Sequence, residues 1–202
     1  MRLFRPCLIA GRLYSKAIFR IKTDEKLLCL TFDDGPDPGS TPKLLGILEK
    51  HNVKGVFFCD GKAAEKYPEM IELIISKGHI IGNHGYAHPD GWRTSTGKYL
   101  DDAEKAAGLT SPVLFRPPFG RMKIDQYRIL KEKYKILLWD VMPYDFDENF
   151  GSESSLQILK TKIRPGSIIV MHDKPSSYAN TIISEFINFA FSIGYRFVIP
   201  DN

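Results

Sequence analysis

From residue 27 onward, short apolar runs rich in β-branched and aromatic residues recur along the chain: 27–32, 55–59, 79–82, 113–116, 136–141, 167–171 and 195–199. Brief continuous apolar runs of this kind predict buried strands. Between them lie segments whose apolar positions recur at helical spacing, predicting helices near 41–51, 68–77, 96–107, 123–133, 153–162 and 178–192. Thr41-Pro42 supplies a predicted N-cap followed by proline at the first helical position, and Gly78 and Gly194 stand where helices are expected to end. Strands separated by helices imply parallel βαβ units in an α/β fold. Seven such strands suit either a (β/α) barrel or an open doubly wound sheet, and no internal repeat interrupts the alternation.

The residues that follow the strands add chemistry to this pattern. Asp33 and Asp34 follow the first run, His84 the third, Arg116 ends the fourth, Asp140 and Asp145 come with the fifth, and His172 and Asp173 follow the sixth. In barrels of parallel strands functional groups gather at the C-terminal strand ends. A single such residue is an ordinary turn or cap; five strands delivering ionisable groups to one rim point to a site.

Composition narrows the setting. With 202 residues, 43% hydrophobic, the chain has material for one domain with a sizeable core. We divide it into a basic lead-in, residues 1–26, and a catalytic domain, residues 27–202. Residues 1–22 carry six Lys or Arg and no acid, so of the formal charge of +4 the remainder contributes −2. The body is therefore not a nucleic-acid surface. The apolar stretch of the lead-in is too short for a signal peptide or a membrane span. A docked or partly ordered segment is expected there, with weak contact to an anionic membrane surface as its functional alternative, and the cytoplasm is the expected location. Cys7, Cys29 and Cys59 form no metal-binding spacing; Cys29 and Cys59 lie in apolar runs and read as buried core thiols.

Asp33-Asp34 places two carboxylates side by side ahead of the Gly35-Pro36 turn, a repulsion that a nearby cation relieves. His84 and His88, four residues apart, can face one ion, and Gly85 and Pro89 predict a turn there instead of a long helix. With Asp34 they form a two-histidine, one-carboxylate set that leaves coordination positions open. Zinc suits it; cobalt, nickel and iron also fit.

Five ordered segments, Thr31 to Pro36, His84 to His88, Arg116 to Gly120, Trp139-Asp140 with Asp145, and Ile168 to Asp173, resemble the NodB-type polysaccharide deacetylases of carbohydrate esterase family 4 over roughly residues 27–199. The resemblance implies a distorted (β/α) barrel with about seven parallel strands and an acetylated glycan as substrate. It also implies Asp33 as general base, Asp34, His84 and His88 as metal ligands, and His172 as general acid oriented by Asp145. Arg116 is implied to position Asp33, the Phe119 backbone N–H to bind the oxyanion, and Trp139 and Val170 to wall the acetyl pocket. This chain departs from the family's habits in Gly85, where Ser or Thr is common, in Phe119 for Tyr, and in Phe146 for Trp. An amidohydrolase acting on another amide and a non-catalytic glycan-binding module are the competing functions, and Asp140 competes with Asp145 as partner of His172. Oligomeric state is not legible.

Overall fold

The computed structural model describes residues 4–199 and contains seven strands and eight α-helices among them. The strands are β1 (Leu27–Asp33), β2 (Gly55–Cys59), β3 (Ile80–Asn83), β4 (Leu114–Phe115), β5 (Lys135–Ile136), β6 (Ser167–His172) and β7 (Arg196–Phe197). The helices are α1 (Leu8–Leu13), α2 (Thr41–Lys50), α3 (Gly61–Lys66), α4 (Pro68–Ser76), α5 (Thr96–Ala107), α6 (Ile124–Lys133), α7 (Ser152–Lys162) and α8 (Ala179–Ser192). The six predicted helices correspond to α2 and α4–α8, and all seven predicted strands are present. β4, β5 and β7 are shorter than the apolar runs that announced them.

All pairings between strands are parallel, in the order β5-β4-β3-β2-β1-β6, with β7 against the first residues of β1. The chain beyond β5 returns to β6 through a parallel bridge between Val141 and Ile169, which curls the sheet into a distorted (β/α) barrel and excludes the open sheet. Residues 18–21 fill the seam at the opposite end. Ile18 bridges Leu137, Arg20 bridges Ser167, and the Ile21 N–H donates to the Gly166 carbonyl at 2.8 Å. Gly166 sits at φ +77 with its α-carbon hydrogen facing that strand, and a Cβ there would lie 2.1 Å from the Ile21 carbonyl oxygen.

Successive side chains of a strand face opposite ways, and that alternation sorts the core. Leu28, Leu30 and Phe32 of β1, Phe57 of β2 and Ile169 and Met171 of β6 face outward. There they pack with Leu44, Leu45 and Leu48 of α2 and Ile183, Phe186 and Ile187 of α8. Cys29, Val56, Phe58, Leu114, Leu137 and Ile168 face inward and fill the barrel. Cys29 and Cys59 are buried, as expected, and burial pushes the Cys29 thiol up to about 12. Continuing the inward alternation by two residues leads to Asp33 from Cys29 and Thr31, His84 from Ile80 and Gly82, Arg116 from Leu114, and His172 from Ile168 and Val170. The barrel interior thus ends in a layer of ionisable groups.

Two local readings shift. The N-cap of α2 is Ser40, not Thr41; the Thr41 hydroxyl instead donates to Asp173 Oδ2 at 2.5 Å and accepts the Asp37 N–H at 2.8 Å. α3 was not predicted, being too short to display a helical period. Gly78 and Gly194 take φ +77 and +84 just past α4 and α8, the left-handed geometry of a C-terminal glycine. Among the described residues no helix is long and apolar enough to cross a membrane.

Candidate active site

The rim layer divides into a side built on β1, β2 and β3 and a side built on β6. On the first, Asp34 follows β1 at φ +75, immediately before Gly35-Pro36. Its Oδ1 lies 3.0 Å from His88 Nε2 and 3.4 Å from His84 Nε2, while Lys174 Nζ stands 2.8 Å from Oδ2. The other ring nitrogen of His84 is 2.8 Å from the Arg116 carbonyl oxygen. A carbonyl only accepts, so Nδ1 carries the proton and Nε2 is the atom presented to Asp34. Burial disfavours charge on His84, yet Asp33 and Asp34 outweigh it and raise the imidazole to about 9. Burial likewise opposes charge on Asp34, but His84 and His88 hold its carboxyl far below the usual range. Carboxylates that hold a proton on His84 this firmly would hold a cation in its place. Asp34, Asp60, His84 and His88 each offer one ligand atom, all within 4.8 Å of one another, so the donor set fits a divalent metal ion.

The loop bearing both histidines is fixed by side chains outside the family's motifs. Asn83 accepts from the Gly85 N–H at 2.8 Å and donates to the Ala103 carbonyl at 2.8 Å. Asp102 of α5 accepts from the N–H groups of Tyr86 at 2.6 Å and Ala87 at 3.0 Å. Gly85 lies at φ +79, and a Cβ there would stand 2.8 Å from Asp102 Oδ2, so the glycine admits the Asp102 brace that replaces a hydroxyl at this position.

Asp33 is buried beside this group, and Arg116 Nη1 donates to its Oδ1 at 2.6 Å. Arg116 is fully buried. It also donates to Thr31 Oγ1 (2.6 Å) and to the carbonyls of Leu137 (2.9 Å) and Leu138 (3.0 Å), with the guanidinium 4.1 Å above the Phe58 ring. Gly82 makes room for that ring, since a Cβ there would meet it at 2.3 Å. The arginine is a node locking one Asp33 oxygen while the other, Oδ2, faces His84 Nε2 at 3.9 Å.

On the β6 side, His172 Nδ1 stands 3.0 Å from Asp145 Oδ1. The second oxygen of Asp145 accepts from the His172 N–H at 2.8 Å and the Ser177 hydroxyl at 2.6 Å, so this fully buried carboxylate is oriented twice over. Burial alone would lower the His172 pKa, but Asp145 first, then Asp34 and Asp33, raise it above the ordinary imidazole value. Asp140 points elsewhere: it pairs with Arg164, accepts from Ser167 Oγ at 2.7 Å and lies 3.4 Å from Arg5 Nε. Phe146 packs edge-on against the His172 ring at 4.6 Å, and Phe119 against His88 at 4.5 Å.

Between the two sides opens a cavity of about 670 Å³, lined by Asp33, Asp34, His84, His88, His172, Phe119, Trp139 and Val170, and by Tyr14 and Phe19 of the N-terminal segment. All ten residues selected from the sequence therefore meet at one rim; Asp145 and Arg116 lie behind the cavity wall. Phe119 sits at φ +57 in the turn Pro118–Gly120, and the Trp139 ring occupies the space that a Cβ on Gly120 would need.

A family model described as Polysaccharide deacetylase matches residues 20–137, more than half of the chain. The chain belongs to the polysaccharide deacetylase family. It is 34% identical over 158 residues to a peptidoglycan-N-acetylglucosamine deacetylase of Bacillus cereus; the match covers 75% of this chain and 57% of that relative, so the chain spans little more than half the relative's length. The solved structure of the Bc1960 peptidoglycan N-acetylglucosamine deacetylase superposes with a TM-score of 0.84 at 30% identity, covering 91% of this chain and 90% of that one. BA3943 of Bacillus anthracis, described as a CE4 family pseudoenzyme, superposes with a TM-score of 0.81 at 26% identity, over 90% of this chain and 66% of that one. Family membership is therefore compatible with an inert site, and the residues at the rim must decide.

Sequence reasoning missed Asp60, Asp102 and Lys174. Asp60 had a signal: it continues the inward alternation of Val56 and Phe58. Asp102 lies on a helix and Lys174 beyond the last motif, and neither carries one.

Proposed function

We propose that this chain is a metal-dependent deacetylase that hydrolyses the N-acetyl amide of an N-acetylhexosamine-containing glycan, such as a chitin oligomer or peptidoglycan, and releases acetate. The observation that carries this reading is the placement of Asp33 and His172 across one cavity, each with a buried partner, on either side of the Asp34, His84 and His88 group. A binding module has no need of a base held by Arg116 and an acid held by Asp145.

Asp34, His84 and His88 are the residues that would hold the ion, with zinc the best match to two imidazoles and a carboxylate and cobalt, nickel and iron as alternatives. When bound, such an ion makes water a nucleophile near neutral pH and polarises the acetyl carbonyl. Asp33 accepts the proton that water gives up as its oxygen attacks the carbonyl carbon. The Phe119 backbone N–H donates to the oxygen on which negative charge develops. His172 delivers its proton to the amide nitrogen as the carbon–nitrogen bond breaks, because an amide anion does not leave unprotonated. Acetate and a free amine result, and the proton on Asp33 restores His172 through solvent. Arg116 holds Asp33 in place, and Asp145 favours the proton on His172 until the transfer. Trp139 and Val170 bound the space for the acetyl methyl group.

The test is acetate release from acetylated chitooligosaccharides and from peptidoglycan fragments by protein loaded with zinc, cobalt or nickel, with product masses read alongside. Loss of one acetyl mass per free amine supports the proposal. Hydrolysis confined to formamides or cyclic imides supports the competing amidohydrolase, and metal binding with no hydrolysis of any amide supports an inert module.

A further inference from the structure

We infer that Asp60 is a fourth protein ligand to the metal, in addition to Asp34, His84 and His88. The inference rests on the reading of that triad as ligands. Asp60 directly follows β2, and the alternation that sends Val56 and Phe58 into the barrel sends the Asp60 side chain toward the same rim as Asp33 and His84. Its ligand atom falls within 4.8 Å of those of Asp34, His84 and His88.

The ordinary use of an aspartate at this position is absent. Asp60 is the N-cap of α3, where an Asp side chain usually accepts a bond from the first helical N–H groups, yet it makes no such bond. Those donors are already taken: the Gly61 and Lys62 N–H groups donate to the Gly85 and Tyr86 carbonyls at 2.8 and 2.9 Å. The same two bonds tie the start of α3 to the histidine loop, and the Asp60 N–H donates to the Gly35 carbonyl at 2.8 Å. The backbone around Asp60 is thus fastened to both ligand-bearing loops. Its carboxylate is left over, with Oδ1 sealed from solvent and lacking any hydrogen-bond partner. A buried carboxylate oxygen without a donor is costly unless a cation completes it. Among the described residues no cationic side chain does so; Lys174, at this edge, pairs with Asp34. A metal ion shared with Asp34 and the histidines satisfies the orphan oxygen and relieves the repulsion between the two carboxylates.

The consequence is a donor set of two carboxylates and two imidazoles, more tightly held than a three-residue site. The experiment measures zinc affinity by competition with a chromophoric chelator, and the visible spectrum of the cobalt-loaded protein, for wild type, Asp60→Asn and Asp60→Ala. Thermal melts in excess chelator confirm that each variant folds. The expected result is a rise of about tenfold or more in the zinc dissociation constant and an altered cobalt spectrum in both variants. Affinity and spectrum unchanged from wild type would overturn the fourth ligand while leaving the triad standing. A wild type that binds neither metal overturns the triad as well. If Asp60→Ala weakens binding and Asp60→Asn does not, Asp60 shapes the loop and is no ligand.

Discussion

The two sides of the cavity solve opposite problems. On the β6 side the protein is complete in itself: Asp145 has donors at both oxygens, and His172 has its carboxylate. On the β1–β3 side the polar groups are not all paired. Two imidazoles converge on one oxygen of Asp34, Asp60 Oδ1 has no partner, and Asp33 adds a further charge. One side is a closed hydrogen-bonded dyad, and the other is a set of donors suited to a further cation, with Lys174 already on one Asp34 oxygen and Arg116 on one of Asp33. The difference implies that metal loading and proton delivery are largely separable, since they depend on different strands and share no ligand, with only the charges of Asp34 and Asp33 reaching His172.

The largest effects should come from breaking the β1–β3 side. Chelation, or His84→Ala, should abolish acetate release, and His84→Ala should lower metal affinity by more than the roughly 10- to 100-fold that loss of a ligand's hydrogen-bonding partner costs; metal analysis of dialysed protein checks this. Next comes Asp33→Asn, which removes the proton acceptor but none of the triad. Turnover should drop by about 10²–10⁴-fold with metal content retained; equal loss of metal would make Asp33 a ligand.

A finer contrast lies on the acid side. The His172 pKa is raised above the ordinary imidazole value, so its proton is held to higher pH than on a free imidazole and is lost as pH climbs through that raised value; activity should fall along the same alkaline limb. Asp145→Asn should move the limb to lower pH with metal content unchanged. Asp140→Asn should leave the limb in place and lower the melting temperature, because Asp140 pairs with Arg164 and Ser167 and not with His172. A limb that follows Asp140 would reverse the assignment. The smallest effect expected is for Asp102→Ala, which removes two acceptors from the histidine loop and should weaken metal binding by about tenfold or less, read by chelator competition.

How much of this was legible in the sequence follows the physics of each element. The outward and inward faces of β1, β2 and β6 are continuous apolar runs, so strand identity was plain. The ends of β4 and β5 were not, because regular pairing stops at Phe115 and Ile136 while the residue types beyond stay strand-like. α3 spans under two turns and shows no period. His88 announced itself by its spacing from His84, and Asp33, Asp34, His84 and His172 because each follows an apolar run with an ionisable group. Asp60 does the same after β2 and differs only in standing at a helix start, where a capping role explains it away. Asp102 acts through backbone N–H groups fifteen and sixteen residues distant in sequence, and nothing local in a helix foretells that. Docking of the lead-in was expected, but its place, residues 18–21 in the seam between β5 and β6, was hidden, since edge pairing by a few extended residues has no compositional signature.

The separability of the two sides is tested most directly by metal content and acetate release measured together on His172→Ala, prepared alongside wild type. The account predicts full metal occupancy with turnover reduced by about 10²–10⁴-fold. Metal lost in step with activity, or activity retained, would contradict it.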